Sequence, residues 1–332
     1  MSNILVIRLK SIGDVVLTLP AVQMIRDNFP DAKITFLTSK ENAGLLGGFR
    51  EVNEVIALDR AALRGGNPLR VIPEFFGLLG RLSAGKFDLV VDLHGIGETG
   101  WLARVTGAPQ RWGPVQNAGR GRGYTRKIRH DSQLHAGDWH LRMLEQCGLK
   151  PGTVRNEFAL PEPARAAART WFADHRLDLQ KRTLYLQPLT SGAHKNWPLE
   201  NYLAVARQFQ SAGAQIIIGG GPADQNALEP ARREGFEVTT GVSLLVTAGL
   251  MQLATLVVGG DTGALHLAVA QGKRVLMLMH DASPGSPMPF HHPEWVVAAP
   301  RPEAIGEITV DEVSAACGRA MGEIEGGLVD FR

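Results

Sequence analysis

The apolar positions of this chain fall into short unbroken runs separated by longer stretches with helical spacing. Ile4–Ile7, Ile34–Leu37, Val52–Ala57 and Phe87–Leu93 read as strands in the first half. Thr183–Leu186, Gln215–Ile218, Thr255–Val258 and Arg274–Met279 do so in the second, with Trp295–Ala298 closing the sheet. Runs without polar alternation belong to strands covered on both faces, and strands that alternate with helices pair in parallel. Both halves repeat this grammar. Between them, Leu149 to Arg165 holds Pro151, Gly152, Pro161 and Pro163 and no periodic pattern, which marks a linker. The expectation is an α/β protein of two Rossmann-like, doubly wound domains, 1–150 and 151–332, facing each other across a cleft. Ligands of such sheets bind beyond the carboxyl ends of the strands, so the loops there carry the search for chemistry.

Val238 to Gly260 is 23 residues without a charge, long enough to span a bilayer. Its four glycines and six Ser, Thr or Gln residues divide it instead into a buried helix, Ser243–Ala254, and a strand ending in Gly259-Gly260. The first apolar run is too short for a secretory signal and leads into Arg8 and Lys10. Two cysteines, Cys147 and Cys317, stand far apart in no metal-ligand spacing, as in a reduced cytoplasmic chain. At 44% hydrophobic and 20% charged the composition is that of a globular protein, and a net charge of +2 gives no reason to expect nucleic acid. The charge is uneven. Residues 101–130 carry Arg104, Arg111, Arg120, Arg122, Arg126, Lys127 and Arg129 and no acid, so the rest of the chain sums to −5. Five glycines and two tryptophans in that segment suit a mobile loop that closes over an anionic group.

Four loops follow strands. In Arg8-Leu9-Lys10-Ser11-Ile12-Gly13-Asp14, ahead of a helix Val15–Asn28, Asp14 is either the helix N-cap or a general base beside a flexible glycine. Pro20 should kink that helix or mark a late start. Gln187 to Pro198 offers Thr190, Ser191, Gly192 and Lys195, the hydroxyls and cation that an anion such as a pyrophosphate needs, while Trp197 packs. Gly219-Gly220-Gly221-Pro222-Ala223-Asp224 is neither a dinucleotide fingerprint nor a P-loop, but it lets backbone approach a base or ribose. Finally Gly259-Gly260-Asp261-Thr262-Gly263 opens a small-residue helix whose first amides face a ligand. There Asp261 is expected to orient the loop or cap the helix, and His266 to be a core histidine.

Taken together these loops resemble glycosyltransferase family 9, the ADP-heptose:lipopolysaccharide heptosyltransferases. The matching stretches are Ile12-Gly13-Asp14-Val15 with Leu19-Pro20-Ala21, Phe87 to Asp92, Lys195-Asn196-Trp197-Pro198, Gly220-Gly221-Pro222, and Asp261-Thr262-Gly263 with His266, Ala268 and Ala270. The resemblance implies a glycosyltransferase of the GT-B type, inverting and independent of metal or other cofactor. It makes Asp14 the catalytic base and places the nucleotide-sugar donor on Thr190, Ser191, Lys195, Gly220, Asp224, Asp261, Thr262, Gly263 and His266. Asp224 or a neighbour would contact the ribose. It also suggests the anionic partners of the basic segment: a lipopolysaccharide core acceptor and the inner membrane surface itself, both recruited by Arg120, Arg122, Arg126, Lys127 and Arg129 in a chain peripheral to that membrane. One departure bears on the transferred sugar rather than the nucleotide. Where the family usually reads Gly-Pro-Thr-Asp-Pro, this chain has His280-Asp281-Ala282-Ser283-Pro284. A nucleotide-sugar epimerase, or a non-catalytic nucleotide-sugar-binding protein, is the competing reading on the same fold.

Overall fold

The computed structural model describes residues 1–64, 68–116, 121–302 and 304–326. The chain divides into two compact units, Met1–Ala159 and Leu160–Arg332. Residues just before the division pack on the first unit. Asn28 exchanges two hydrogen bonds with the backbone of Lys150, Gln23 donates to the Glu157 carbonyl, and the Phe158 ring meets Phe49 edge-on.

Each unit is built on one six-stranded sheet, parallel throughout. In the first unit the strands are β1 (Asn3–Ile7), β2 (Lys33–Ser39), β3 (Glu54–Leu58), β4 (Leu89–Asp92), β5 (Gln110–Val115) and β6 (Arg126–Arg129), in the order β3-β2-β1-β4-β5-β6. In the second they are β7 (Thr183–Gln187), β8 (Gln215–Gly219), β9 (Glu237–Thr239), β10 (Leu256–Gly260), β11 (Val275–Met279) and β12 (Val296–Ala298), ordered β12-β11-β10-β7-β8-β9. These are the same doubly wound order. In each sheet the direction of winding reverses between its first and fourth strands, β1 beside β4 and β7 beside β10. The central strands are buried along their length, as the unbroken apolar runs require.

The expected helix Val15–Asn28 is two helices, Ile12–Val16 and Leu19–Asn28, and Pro20 sits near the start of the second, where its missing N–H costs nothing. The basic segment is corrected more sharply. Its described parts are largely regular structure: Gln110–Val115 and Arg126–Arg129 are the last two strands on one side of the first sheet, in register from Trp112↔Arg126 to Val115↔Arg129. The described end of the connection, residues 121–125, is fastened to the sheet. The Tyr124 hydroxyl bonds the buried Asp92, and a Cβ on Gly123 would collide with the Gly100 carbonyl oxygen, so only glycine fits. Glycine here serves close packing, not mobility. Among the described residues no helix is long and apolar enough to cross a membrane.

Candidate functional site

At the switch point of the first sheet, the chain leaves β1 through Arg8 and leaves β4 through Leu93 and His94. Arg8 ties the two exits together, donating one guanidinium N–H to the Leu93 carbonyl at 2.6 Å and approaching Asp14 Oδ1 at 2.7 Å with the other nitrogen. Asp14 is not the N-cap. Ser11 holds that position, and Asp14, three residues on, accepts from the Ser11 amide at 2.8 Å and its hydroxyl at 3.1 Å. Its side chain keeps 40% of its exposure, against 15% for Arg8, so a substrate hydroxyl can reach the carboxylate while the cation behind it is covered. The neighbouring His94 accepts the Leu9 amide on Nδ1, which leaves the proton of the neutral ring on Nε2. Burial first, then the Arg8 charge, pull its pKa down to about 4. Asp92 at the end of β4 fixes this turn by accepting the His94 and Gly95 amides, and burial pushes its own carboxyl up.

The basic residues divide. Arg126 is committed to the fold, bonding the Cys147 carbonyl at 2.7 Å beneath the Trp112 ring. Arg122, Lys127 and Arg129 are exposed. Arg129 lines a shallow depression of about 670 Å³ with His130, Asp131 and Arg142. Arg120 lies outside the described residues.

In the second unit the switch point lies between β7 and β10. The loop after β7 is locked by its own polar groups: the Thr190 amide donates to Asn196 Oδ1 at 2.9 Å, and the Thr190 hydroxyl donates to the Gly192 carbonyl. Ser191 is exposed, and Trp197 is buried with its indole N–H on the Ile308 carbonyl. The loop after β10 lies hard against it. A Cβ on Gly259 would stand 2.7 Å from the Gln187 carbonyl oxygen, and one on Gly260 2.7 Å from the Thr190 methyl. The two glycines are therefore what allows this approach.

The approach brings two groups, each distant from the other in sequence, onto Asp261. Lys195 Nζ lies 2.7 Å from Oδ2 and His266 Nε2 3.0 Å from Oδ1. Burial alone would raise the Asp261 carboxyl. The His266 bond and charge, and then Lys195, outweigh it and hold the pKa at about 2. Thr262, not Asp261, caps the helix Gly263–Ala270, its hydroxyl accepting the Leu265 amide at 3.3 Å. On the glycine loop after β8, Asp224 accepts the Gly221 amide at 2.7 Å, and Gly220 packs too closely on Leu228 and Asp224 for a side chain. A pocket of about 110 Å³ opens beside the pair, lined by Lys195, Asp261, Met279, His280, Asp281 and Ser286. The departing loop thus faces the same pocket as Lys195 and Asp261. The His280 ring meets His194 edge-on at 5.4 Å, and its Nδ1 is buried without a hydrogen-bond partner.

So the second unit presents an ammonium, the exposed Ser191 hydroxyl and a helix N-terminus, the donors an anion needs. The first presents an accessible carboxylate clamped by arginine, suited to taking a proton. Arg8, His94 and His280 are additions to the residues expected from sequence. The only sequence signal for Arg8 and His94 was their place immediately after the strand ends.

Comparison with known proteins gives this arrangement a family. A curated relative, the lipopolysaccharide core heptosyltransferase OpsX of Haemophilus influenzae, is 22% identical over 305 residues, 89% of this chain and 84% of its own length. A glycosyltransferase family 9 structure from Veillonella parvula superposes with a TM-score of 0.85 at 22% identity, covering 97% of both chains. The Escherichia coli heptosyltransferase WaaC, solved with ADP, gives 0.76 at 21% identity, covering 96% of this chain and 99% of its own. The family model for glycosyltransferase family 9 (heptosyltransferase) matches residues 76–306. This chain, with its two doubly wound sheets of the GT-B type, belongs to glycosyltransferase family 9 and is a glycosyltransferase.

Proposed function

We propose that the protein transfers heptose from an ADP-heptose to a lipopolysaccharide core acceptor, with inversion and without a metal ion. Each unit takes one substrate. The donor diphosphate lies on the Thr262 and Gly263 amides with Lys195, Thr190 and Ser191 beside it, and Asp224 is near the ribose. Asp14 removes the proton from the acceptor hydroxyl as its oxygen attacks the anomeric carbon. The bond from that carbon to the phosphate oxygen breaks on the opposite face, and ADP departs with the electron pair. Attack opposite the leaving group inverts the anomeric centre. Lys195 and the helix dipole supply the positive charge that favours the developing diphosphate.

The observation that carries this reading is Asp14 itself: a carboxylate at a switch point, held by Arg8 and Ser11 yet 40% exposed. The names of the relatives support the rest, OpsX as a lipopolysaccharide core heptosyltransferase and WaaC as an enzyme solved with ADP. Anomeric configuration of the product, read by NMR from a reaction run in EDTA, tests both mechanistic claims. A product of inverted configuration at undiminished rate is expected. Retention, or activity lost on chelation and restored by Mg²⁺ or Mn²⁺, overturns the mechanism.

A further inference from the structure

The helix Pro68–Ala84 has more apolar circumference than the core uses. At 100° per residue, Leu78, Leu82, Phe75, Leu79, Ile72 and Phe76 sweep about half of its surface, more than the stripe of about 100° that a core-facing helix needs. The core takes one side of that sector: Leu78 and Leu82 are buried. The other side is bare, with Ile72 54% and Phe76 65% exposed, and Leu69, one turn earlier, is exposed as well. The apolar surface continues onto the helix Gly97–Val105, where Trp101, 44% exposed, stacks on Phe75 at 5.9 Å with the rings 11° apart.

The acids near this face are paired. Glu74, the one acid among residues 60–86, lies 3.8 Å from Arg81. Glu98, one turn before Trp101, is paired with Arg60 at 3.1 Å. Arg104, one turn after it, and Lys86 are exposed. We propose that this face, Ile72 and Phe76 with Trp101, is a docking surface for an anionic lipid bilayer. An amphipathic helix with aromatic and aliphatic residues on one side and cations about it rests in the headgroup region, with burial and attraction to anionic lipid adding together. Tryptophan favours that depth. A second copy of the chain fits less well. Three side chains about half exposed supply less than the roughly 800 Å² per partner that a specific dimer buries, and apposed copies would bring like charge against like charge. None of Ile72, Phe76 and Trp101 is among the residues assigned to the transfer reaction, so the inference goes beyond it and stands whatever sugar is moved.

Co-sedimentation of the full chain with phosphatidylglycerol-containing vesicles, and with pure phosphatidylcholine vesicles, tests it without an activity readout. The wild type should pellet with the anionic vesicles and far less with the neutral ones. The exposed double variant Ile72→Ser/Phe76→Ser should keep its thermal midpoint and lose roughly tenfold or more in partitioning. A second variant, Lys86→Gln/Arg104→Gln, should bind more weakly and with a shallower salt dependence. Wild-type protein left in the supernatant, or variants that pellet as well as wild type, overturns the proposal. So does a dimer in sedimentation velocity that the serine variant abolishes, because a second copy would then be the occupant.

Discussion

Replacing Asp261 with asparagine separates charge from shape at the centre of the second unit. The carboxylate stands between Lys195 Nζ at 2.7 Å and His266 Nε2 at 3.0 Å with 13% of its side chain exposed. Although burial pushes it up, the His266 and Lys195 contacts hold it at about 2, against an ordinary 3.8. A carboxyl depressed by folding stabilises the native state above its unfolded pKa, and that stabilisation drains away as pH falls from about 4 to about 2. The difference corresponds to about 2 kcal/mol. An asparagine would keep the volume and one acceptor but not the charge. At neutral pH the variant should therefore be about 2 kcal/mol less stable, and the gap should begin to close below about pH 4. Urea unfolding followed by tryptophan fluorescence reads this, since Trp197 is buried in the same unit. Equal denaturant slopes would show that only stability has changed. A gap below about 0.5 kcal/mol at pH 7, or one that stays constant into acid, would refute the reasoning.

Asp14→Asn should lower transfer by roughly two to four orders of magnitude while calorimetry finds ADP affinity unchanged; near-normal turnover removes it as the base. Gly260→Ala places a Cβ 2.7 Å from the Thr190 methyl and 3.1 Å from the Lys195 carbonyl oxygen, so a loss of about 1–3 kcal/mol in thermal or urea unfolding is expected, with weaker ADP binding. Lys127→Gln/Arg129→Gln, which spares the structural Arg126, should raise the acceptor KM and flatten its salt dependence without touching ADP affinity. Matching salt titrations for variant and wild type would leave these cations as solvated surface.

What the sequence revealed follows from burial. The strands at the centre of each sheet are covered on both faces, so they appear as apolar runs and were found within a few residues. Of the three unrecognised strands two are at sheet edges, and the third is mostly covered but has no unbroken apolar run. Gln110–Val115 contains a glycine and a proline, Arg126–Arg129 is Arg-Lys-Ile-Arg, and Glu237–Thr239 is three residues long. The basic segment consequently looked like a loop. The glycine pair before Asp261 was visible, but not its purpose, because the atoms that exclude a side chain belong to Gln187 and Thr190, some seventy residues earlier. The same limit hid the contacts that define the site. Arg8 reaches Leu93 across 85 positions and Lys195 reaches Asp261 across 66, and no local pattern records either.

The central claim, that this family 9 enzyme moves heptose from ADP-heptose onto a lipopolysaccharide core, is tested most directly by mass spectrometry. The purified protein would be incubated in EDTA with ADP-heptose and a core acceptor lacking heptose, beside its Asp14→Asn variant. The account predicts that the acceptor gains the mass of one heptosyl residue in step with ADP release, and that the variant binds ADP but leaves the acceptor unchanged. An unmodified acceptor with the wild-type protein, or equal modification by the variant, contradicts it.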